Sequence, residues 1–140
     1  MKQRITSKQL GELSEKGMKG LRKWWKPRTG DWWSRRLVDV TDMRTGKMGD
    51  GIFRNEYLLD EVSDDYGYIK DDENRKYLPL LSIGQMIEFL GEEIVITKEE
   101  KEKWSVTTNY DFWEQSGWNW KENEELCNSL WEATKEKLEK

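Results

Sequence analysis

The stretch Leu80-Leu81-Ser82-Ile83-Gly84-Gln85-Met86-Ile87-Glu88-Phe89-Leu90-Gly91-Glu92-Glu93-Ile94-Val95-Ile96-Thr97 changes its hydrophobic period in the middle, and that change decides the fold class. Ser82 followed three residues later by Gln85 has capping-box spacing, in which each side chain satisfies a backbone N–H that the first helical turn leaves without a partner. Behind it Ile83, Met86, Ile87 and Leu90 recur at intervals of three and four residues. The spacing predicts a short helix over 83–90, buried on that stripe, with Gly91 placed to end it. The next run, 93–97, is β-branched and predicts a strand. A charged turn over 98–103 leads to a second run, 104–110, and the two strands read as a hairpin.

Toward the N-terminus, Leu10, Leu13, Met18, Leu21 and Trp24 or Trp25 recur at helical intervals behind Ser7, predicting a helix over 8–25. Gly11, Gly17 and Gly20 each weaken it by up to about 1 kcal/mol relative to alanine, so it must depend on docking its apolar stripe. Pro27 ends it, and 26–31 with Gly30 reads as a turn. Aromatic and β-branched residues over 32–40, loop chemistry over 44–51 and a second run over 52–59 predict another hairpin. Residues 60–73 hold seven acids among fourteen residues. They read as a short strand near Tyr66, Tyr68 and Ile69 between solvated acidic loops. At the C-terminus, Asn123 is placed to cap a last helix to about 138 along a stripe of Leu126, Leu130, Ala133 or Thr134, and Leu138.

These elements describe an α+β domain, a small, mostly antiparallel sheet of two hairpins packed with an N-terminal, a short central and a C-terminal helix. A chain of 140 residues without internal repeat or long linker reads as a single domain over 1–140. Only 35% of residues are hydrophobic and 37% are charged, yet nine Trp, five Tyr and three Phe supply large apolar area. An aromatic-rich core follows, with five or six of the nine Trp expected inside it. Trp24, Trp104 and Trp131 occupy periodic positions and are its best candidates.

No apolar run approaches the roughly 18–20 residues of a membrane span, and 1–10 lacks the apolar stretch of a signal peptide, so cytoplasmic residence is expected. The single cysteine, Cys127, makes no intrachain disulfide and reads as a small buried hydrophobe. Charge is divided unevenly. Residues 1–36 carry eleven basic against three acidic residues, +8, and the remainder thirteen against twenty-five, −12. Either the two parts neutralise each other, or the basic part offers a cationic surface to an anionic partner.

The chain has no histidine, which removes the commonest general base, the usual catalytic triad and the commonest zinc ligand. One thiol builds neither a zinc nor an iron–sulfur site. Phosphate-loop and dinucleotide glycine patterns are absent, and Gly46, Gly49 and Gly51 read as turn glycines. Carboxylates cluster at Asp60, Asp64, Asp65, Asp71 and Asp72 without calcium-loop spacing, so a carboxylate-based enzyme ranks third and the acids read as a solvated face. The expectation is a binding protein without catalytic residues, metal or cofactor.

Adjacent residues on a strand face opposite ways, so a core claims only one of Trp32 and Trp33 directly. Near them in sequence lie Lys26, Arg28, Arg35 and Arg36, and an indole face beside guanidinium groups suits a ligand with a flat ring and phosphates. Nucleotides and single-stranded nucleic acid both fit. Trp118 and Trp120, two apart, share a face of any extended segment and with Trp113 offer a second aromatic surface. The candidate ligand-binding set is therefore Trp32, Trp33, Arg28, Arg35 and Arg36, with Trp118 and Trp120 as a second wall. Short helices and surplus Trp also suggest a homo-oligomer.

The segments Leu78-Pro79-Leu80-Leu81-Ser82-Ile83-Gly84-Gln85-Met86-Ile87-Glu88-Phe89-Leu90, Ile5-Thr6-Ser7-Lys8-Gln9-Leu10, Trp25-Lys26-Pro27 with Gly30-Asp31, and Leu126-Cys127-Asn128-Ser129-Leu130-Trp131-Glu132-Ala133 resemble small uncharacterised accessory proteins of phages and prophages of Gram-positive bacteria. The resemblance covers both ends and the middle helix and carries no catalytic motif. It implies a role in the cytoplasm of an infected bacterial host, counteracting antiviral immunity by sequestering a nucleotide-derived signalling molecule. The alternative is inhibition of a host defence or nucleic-acid-binding protein through the acidic or Trp-rich surface.

Overall fold

A computed structural model of the chain describes residues 1–36, 53–59, 77–91, 94–98, 103–108 and 120–140. These residues form four helices, α1 (Ser7–Leu10), α2 (Glu15–Trp24), α3 (Ile83–Leu90) and α4 (Leu126–Glu139). They also form six strands, β1 (Trp32–Arg36), β2 (Phe53–Leu58), β3 (Tyr77–Pro79), β4 (Ile94–Lys98), β5 (Trp104–Thr108) and β6 (Lys121–Asn123). Two antiparallel three-stranded sheets, ordered β2-β1-β3 and β4-β5-β6, accompany N-terminal, central and C-terminal helices, which is the α+β class expected. The expected strand near Tyr66 lies outside the described residues. The chain divides into two compact units, Thr6–Leu80, and Met1–Ile5 with Leu81–Lys140. Among the described residues no helix is long and apolar enough to cross a membrane.

In the unit Thr6–Leu80, the single helix expected over 8–25 is two helices. Thr6, one residue before the expected cap, closes a capping box on α1. Its Oγ1 accepts from the Gln9 N–H at 3.2 Å, and Gln9 Oε1 accepts from the Thr6 N–H at 3.0 Å. The Gly11 N–H donates to the Ser7 carbonyl at 3.2 Å, and Ser14 Oγ then accepts from the Gly17 N–H at 3.2 Å to start α2. The apolar period was correct, since Leu10, Leu13, Met18 and Leu21 are all buried. The break falls at Gly11, which closes α1, and at Ser14, whose side chain caps α2, while Gly17 and Gly20 are carried inside α2.

Trp25, which caps the C-terminal end of α2, is fully buried where Trp24 is half-buried. The following turn is organised by Asp31, whose Oδ2 accepts from Trp25 Nε1 and from the Arg28 N–H, each at 3.0 Å. Gly30 sits at φ +96°, a left-handed conformation that a Cβ disfavours. Its N–H donates to the Leu59 carbonyl at 2.9 Å, and the Leu59 N–H donates to the Asp31 carbonyl at 2.8 Å, tying the turn to the end of β2. α1 packs against β2 and α2 against β3. The segment 77–81 contains β3, and its Pro79 is tolerated because β3 lies at an edge of this sheet.

In the other unit, the N-terminal residues run antiparallel to the entry of α3. The Ile5 N–H donates to the Leu81 carbonyl and the Ile83 N–H to the Gln3 carbonyl, both at 3.0 Å. The expected capping box is present, with Ser82 Oγ accepting from the Gln85 N–H at 3.1 Å and Gln85 Oε1 from the Ser82 N–H at 2.9 Å. Gly91, at φ +87°, ends the helix as anticipated. Removing the Ser82 hydroxyl orphans a first-turn donor. Ser82→Ala is therefore expected to cost about 1 kcal/mol, read as a lower urea midpoint at unchanged slope; an unchanged midpoint would show the cap to be idle.

β4 and β5 pair over their full length, Ile94 opposite Thr108 through Lys98 opposite Trp104, as the second hairpin required. Asn123 does not cap the last helix. It ends β6, and its Oδ1 accepts from the Glu125 N–H at 2.9 Å, the two-residue reach of an Asx turn, so α4 starts at Leu126. α4 packs against α3, β5 and β6. Its buried face is wider than the expected stripe, comprising Cys127, Ser129, Leu130, Trp131, Ala133, Thr134 and Leu138. Two of its hydroxyls are satisfied inside, Ser129 Oγ donating to the Trp104 carbonyl at 2.9 Å and Thr134 Oγ1 to the Leu130 carbonyl at 2.8 Å. Lys137 Nζ donates to the Phe89 carbonyl at 2.7 Å, satisfying an acceptor at the end of α3. Trp104 is half-buried, not core, with Lys98 Nζ 5.3 Å from its ring centre.

Cys127 is fully buried, as the small-hydrophobe reading requires. Burial pushes its thiol above the ordinary range, the Lys2 charge works against this, and the Glu125 charge adds to it. A raised folded-state pKa means the native state keeps a proton that the unfolded state loses above about pH 8.5, so this contribution to stability disappears as pH rises. Cys127→Ala is expected to flatten that alkaline decline. The native thiol should resist a disulfide reagent at about pH 8 and react on unfolding; fast modification of the folded protein would contradict the buried placement.

Candidate functional site

The sequence candidates that can be compared within one unit lie on and around β1. Antiparallel pairing places Trp33 opposite Tyr57 of β2 and opposite Pro79 of β3, with Arg35 opposite Tyr77. Residues two apart on a strand share a face, so Trp33 and Arg35 stand on one side of the sheet with Tyr57 and Tyr77. The ring contacts agree. Trp33 and Tyr57 stack with centres 4.6 Å apart at 26°, and Tyr77 meets Trp33 edge-on at 5.0 Å and 81°. This packing continues inward to Trp25 and Leu59, against which Trp24 and Trp33 rest as half-buried rings.

Between Trp33 and Arg35 the register slips. β1 advances two residues while its partner advances from Tyr57 to Arg54, so the backbone register sets Arg54 opposite Arg35. A bulge of this kind kinks a ladder and re-aims nearby side chains. Arg35 is half-buried. Trp33 Nε1 is buried and finds no acceptor among the described residues, an arrangement that costs about 1–3 kcal/mol when nothing else satisfies the donor. Tyr57, 39% exposed, carries the aromatic stack outward to solvent, and Leu58 beside it is 46% exposed.

The other candidates are placed differently. Trp32 alternates to the opposite face, half-buried and paired in register with Leu58. On that face Ser34 is fully buried. Arg28 is exposed in the turn that Asp31 holds, and Arg36 ends β1 opposite Phe53 in register. Trp120 belongs to the other compact unit, just before β6, and is half-buried. Trp118, Trp113 and the acidic segment 60–73 lie outside the described residues. The structure thus brings Trp33 and Arg35 together and separates Trp32 from them.

Tyr57, Tyr77 and Arg54 were not singled out from the sequence. Tyr57 was detectable, because its segment reads as a strand partner of 32–40; Tyr77 was not, because its strand is three residues long and contains a proline. Among the described residues, no group of three or more Asp, Glu or Cys side chains is positioned to hold a metal ion. No protein-family model, curated protein or solved structure matches this chain.

Proposed function

We propose that the Trp33–Arg35 face binds a nucleotide-derived signalling molecule, and that the protein is a non-enzymatic phage accessory which sequesters this molecule from host antiviral immunity in the bacterial cytoplasm, as a homo-oligomer. The observation carrying this reading is the alignment of a stacked Trp33–Tyr57 pair with Arg35, two residues along on the same side, opposite Arg54 in register. A base adding to the solvent-facing end of that stack gains about 1–3 kcal/mol. A phosphate beside Arg35 forms charge-assisted hydrogen bonds, which are roughly twice as strong as neutral ones. With no histidine in the chain, proton transfer to a bound ligand lacks its usual agent, so capture without turnover is the function this face supports best.

Titration calorimetry with a panel of mono-, di- and cyclic nucleotides tests the reading. Saturable binding of one class, with the ligand recovered chemically intact, supports sequestration; a converted ligand or no binding across the panel rejects it. Leu58, exposed on the face of β2 opposite to Tyr57, favours the second reading, an inhibitor that occupies a host defence protein. Capture of such a protein by the full chain, undiminished by Arg35→Ala and lost on Leu58→Asp, would prefer that reading.

A further inference from the structure

Of the eleven basic residues of 1–36, three lysines line up on one face of a helix. α2 carries Lys16, Lys19, Arg22 and Lys23 against the single acid Glu15. At about 100° per residue, Lys16, Lys19 and Lys23 fall within an arc of roughly 60°, on the side opposite Met18 and Leu21. The burial agrees, since Met18 and Leu21 are buried while the three lysines are exposed. Lys26 and Arg28, also exposed, continue the basic run just past the helix end.

We infer that this lysine ridge is a docking surface for the phosphodiester backbone of nucleic acid. From Lys16 to Lys23 the ridge runs about 10 Å along the helix axis, and a nucleic-acid strand presents a phosphate roughly every 3.4 Å of its own axis. The ridge therefore spans several phosphates in line. Charge complementarity alone would also suit an anionic membrane, but the apolar residues argue against one. A helix that lies in a bilayer surface buries an apolar face in lipid, whereas the apolar face of α2 is committed to its own unit. The exposed large hydrophobic residues among those described are Met1, Tyr57 and Leu58, none of them on α2. Lysines read charge and not base identity, so the contact is independent of sequence. The net charge of −4 opposes approach at long range and makes binding weak and strongly salt-dependent.

The ridge lies on α2 and the nucleotide face on β1. Fluorescence anisotropy of the full chain with labelled duplex and single-stranded oligonucleotides of mixed sequence tests it. Four lysines, 16, 19, 23 and 26, give a slope of log affinity against log salt of about −3 to −4. That slope means roughly a 100-fold loss between about 50 and 200 mM salt. Lys19→Gln/Lys23→Gln should bring the slope down by about two units, leaving roughly a 10-fold loss over the same range. Arg35→Ala should leave it unchanged, so failure of the nucleotide reading and failure of this one are separable. An unchanged slope in the double variant, no binding at low salt, or binding only to phosphatidylglycerol vesicles would each overturn the inference.

Discussion

Trp131→Ala is expected to lower stability by about 3–5 kcal/mol, a large part of the roughly 5–15 kcal/mol that holds a domain of this size together. The indole is fully buried on α4, the helix that packs against α3, β5 and β6. Removing it deletes the largest side chain of that helix's inner face and leaves a cavity that Leu130, Ala133 and Thr134, fixed on the same helix, can close only in part. Trp131→Phe separates packing from polarity. Trp131 Nε1 is buried without an acceptor among the described residues, so phenylalanine removes an unsatisfied donor while keeping most of the ring. Its cost should fall below about 1.5 kcal/mol. Urea unfolding of both variants decides the matter, and an alanine variant losing less than about 1 kcal/mol would mean that α4 is not seated as described.

Trp131 also marks how far a sequence pattern reaches. Its helix was legible from a narrow stripe, but the buried face is wider because α4 has neighbours on more than one side, and periodicity reports only the strongest of them. Caps were legible where one side chain has one possible partner, as at Ser82 with Gln85. They were misplaced where two candidates compete. Thr6 displaced Ser7, and Asn123 spent its side chain on a turn. The second hairpin followed from β-branched runs and the first from aromatic ones, since strands adjacent in sequence pair at low entropic cost. The third strands, β3 and β6, are three residues each and were invisible to any period. The same logic applies to the site. Alternation dictated that Trp32 and Trp33 part company, yet which of them keeps Arg35 beside aromatic rings depends on β2 and β3, and the register slip that sets Arg54 opposite Arg35 has no sequence signature at all.

Arg35→Ala is expected to raise the Kd of a phosphate-bearing nucleotide about 10- to 100-fold, the equivalent of a hydrogen bond to a charged group worth about 1.5–3 kcal/mol, while changing the affinity of the matching nucleoside little. Tyr57→Ala should behave in the opposite sense. Loss of a stacking partner worth about 1–3 kcal/mol weakens nucleoside and nucleotide alike, because the base is common to both. Arg35→Lys keeps the charge but loses the planar fork, so it recovers part of the affinity and not all. Trp33→Ala is the less informative change, since Trp33 also packs on Trp25, Leu59 and Tyr77 and its removal disturbs the unit. The contrast between nucleoside and nucleotide therefore carries the argument. A structural role for Arg35 would lower stability and weaken both ligands equally, whereas a phosphate contact splits them and leaves the urea midpoint unchanged. Equal weakening of the two ligands by Arg35→Ala would remove the phosphate from this face, and with it the proposal that the protein captures a nucleotide there.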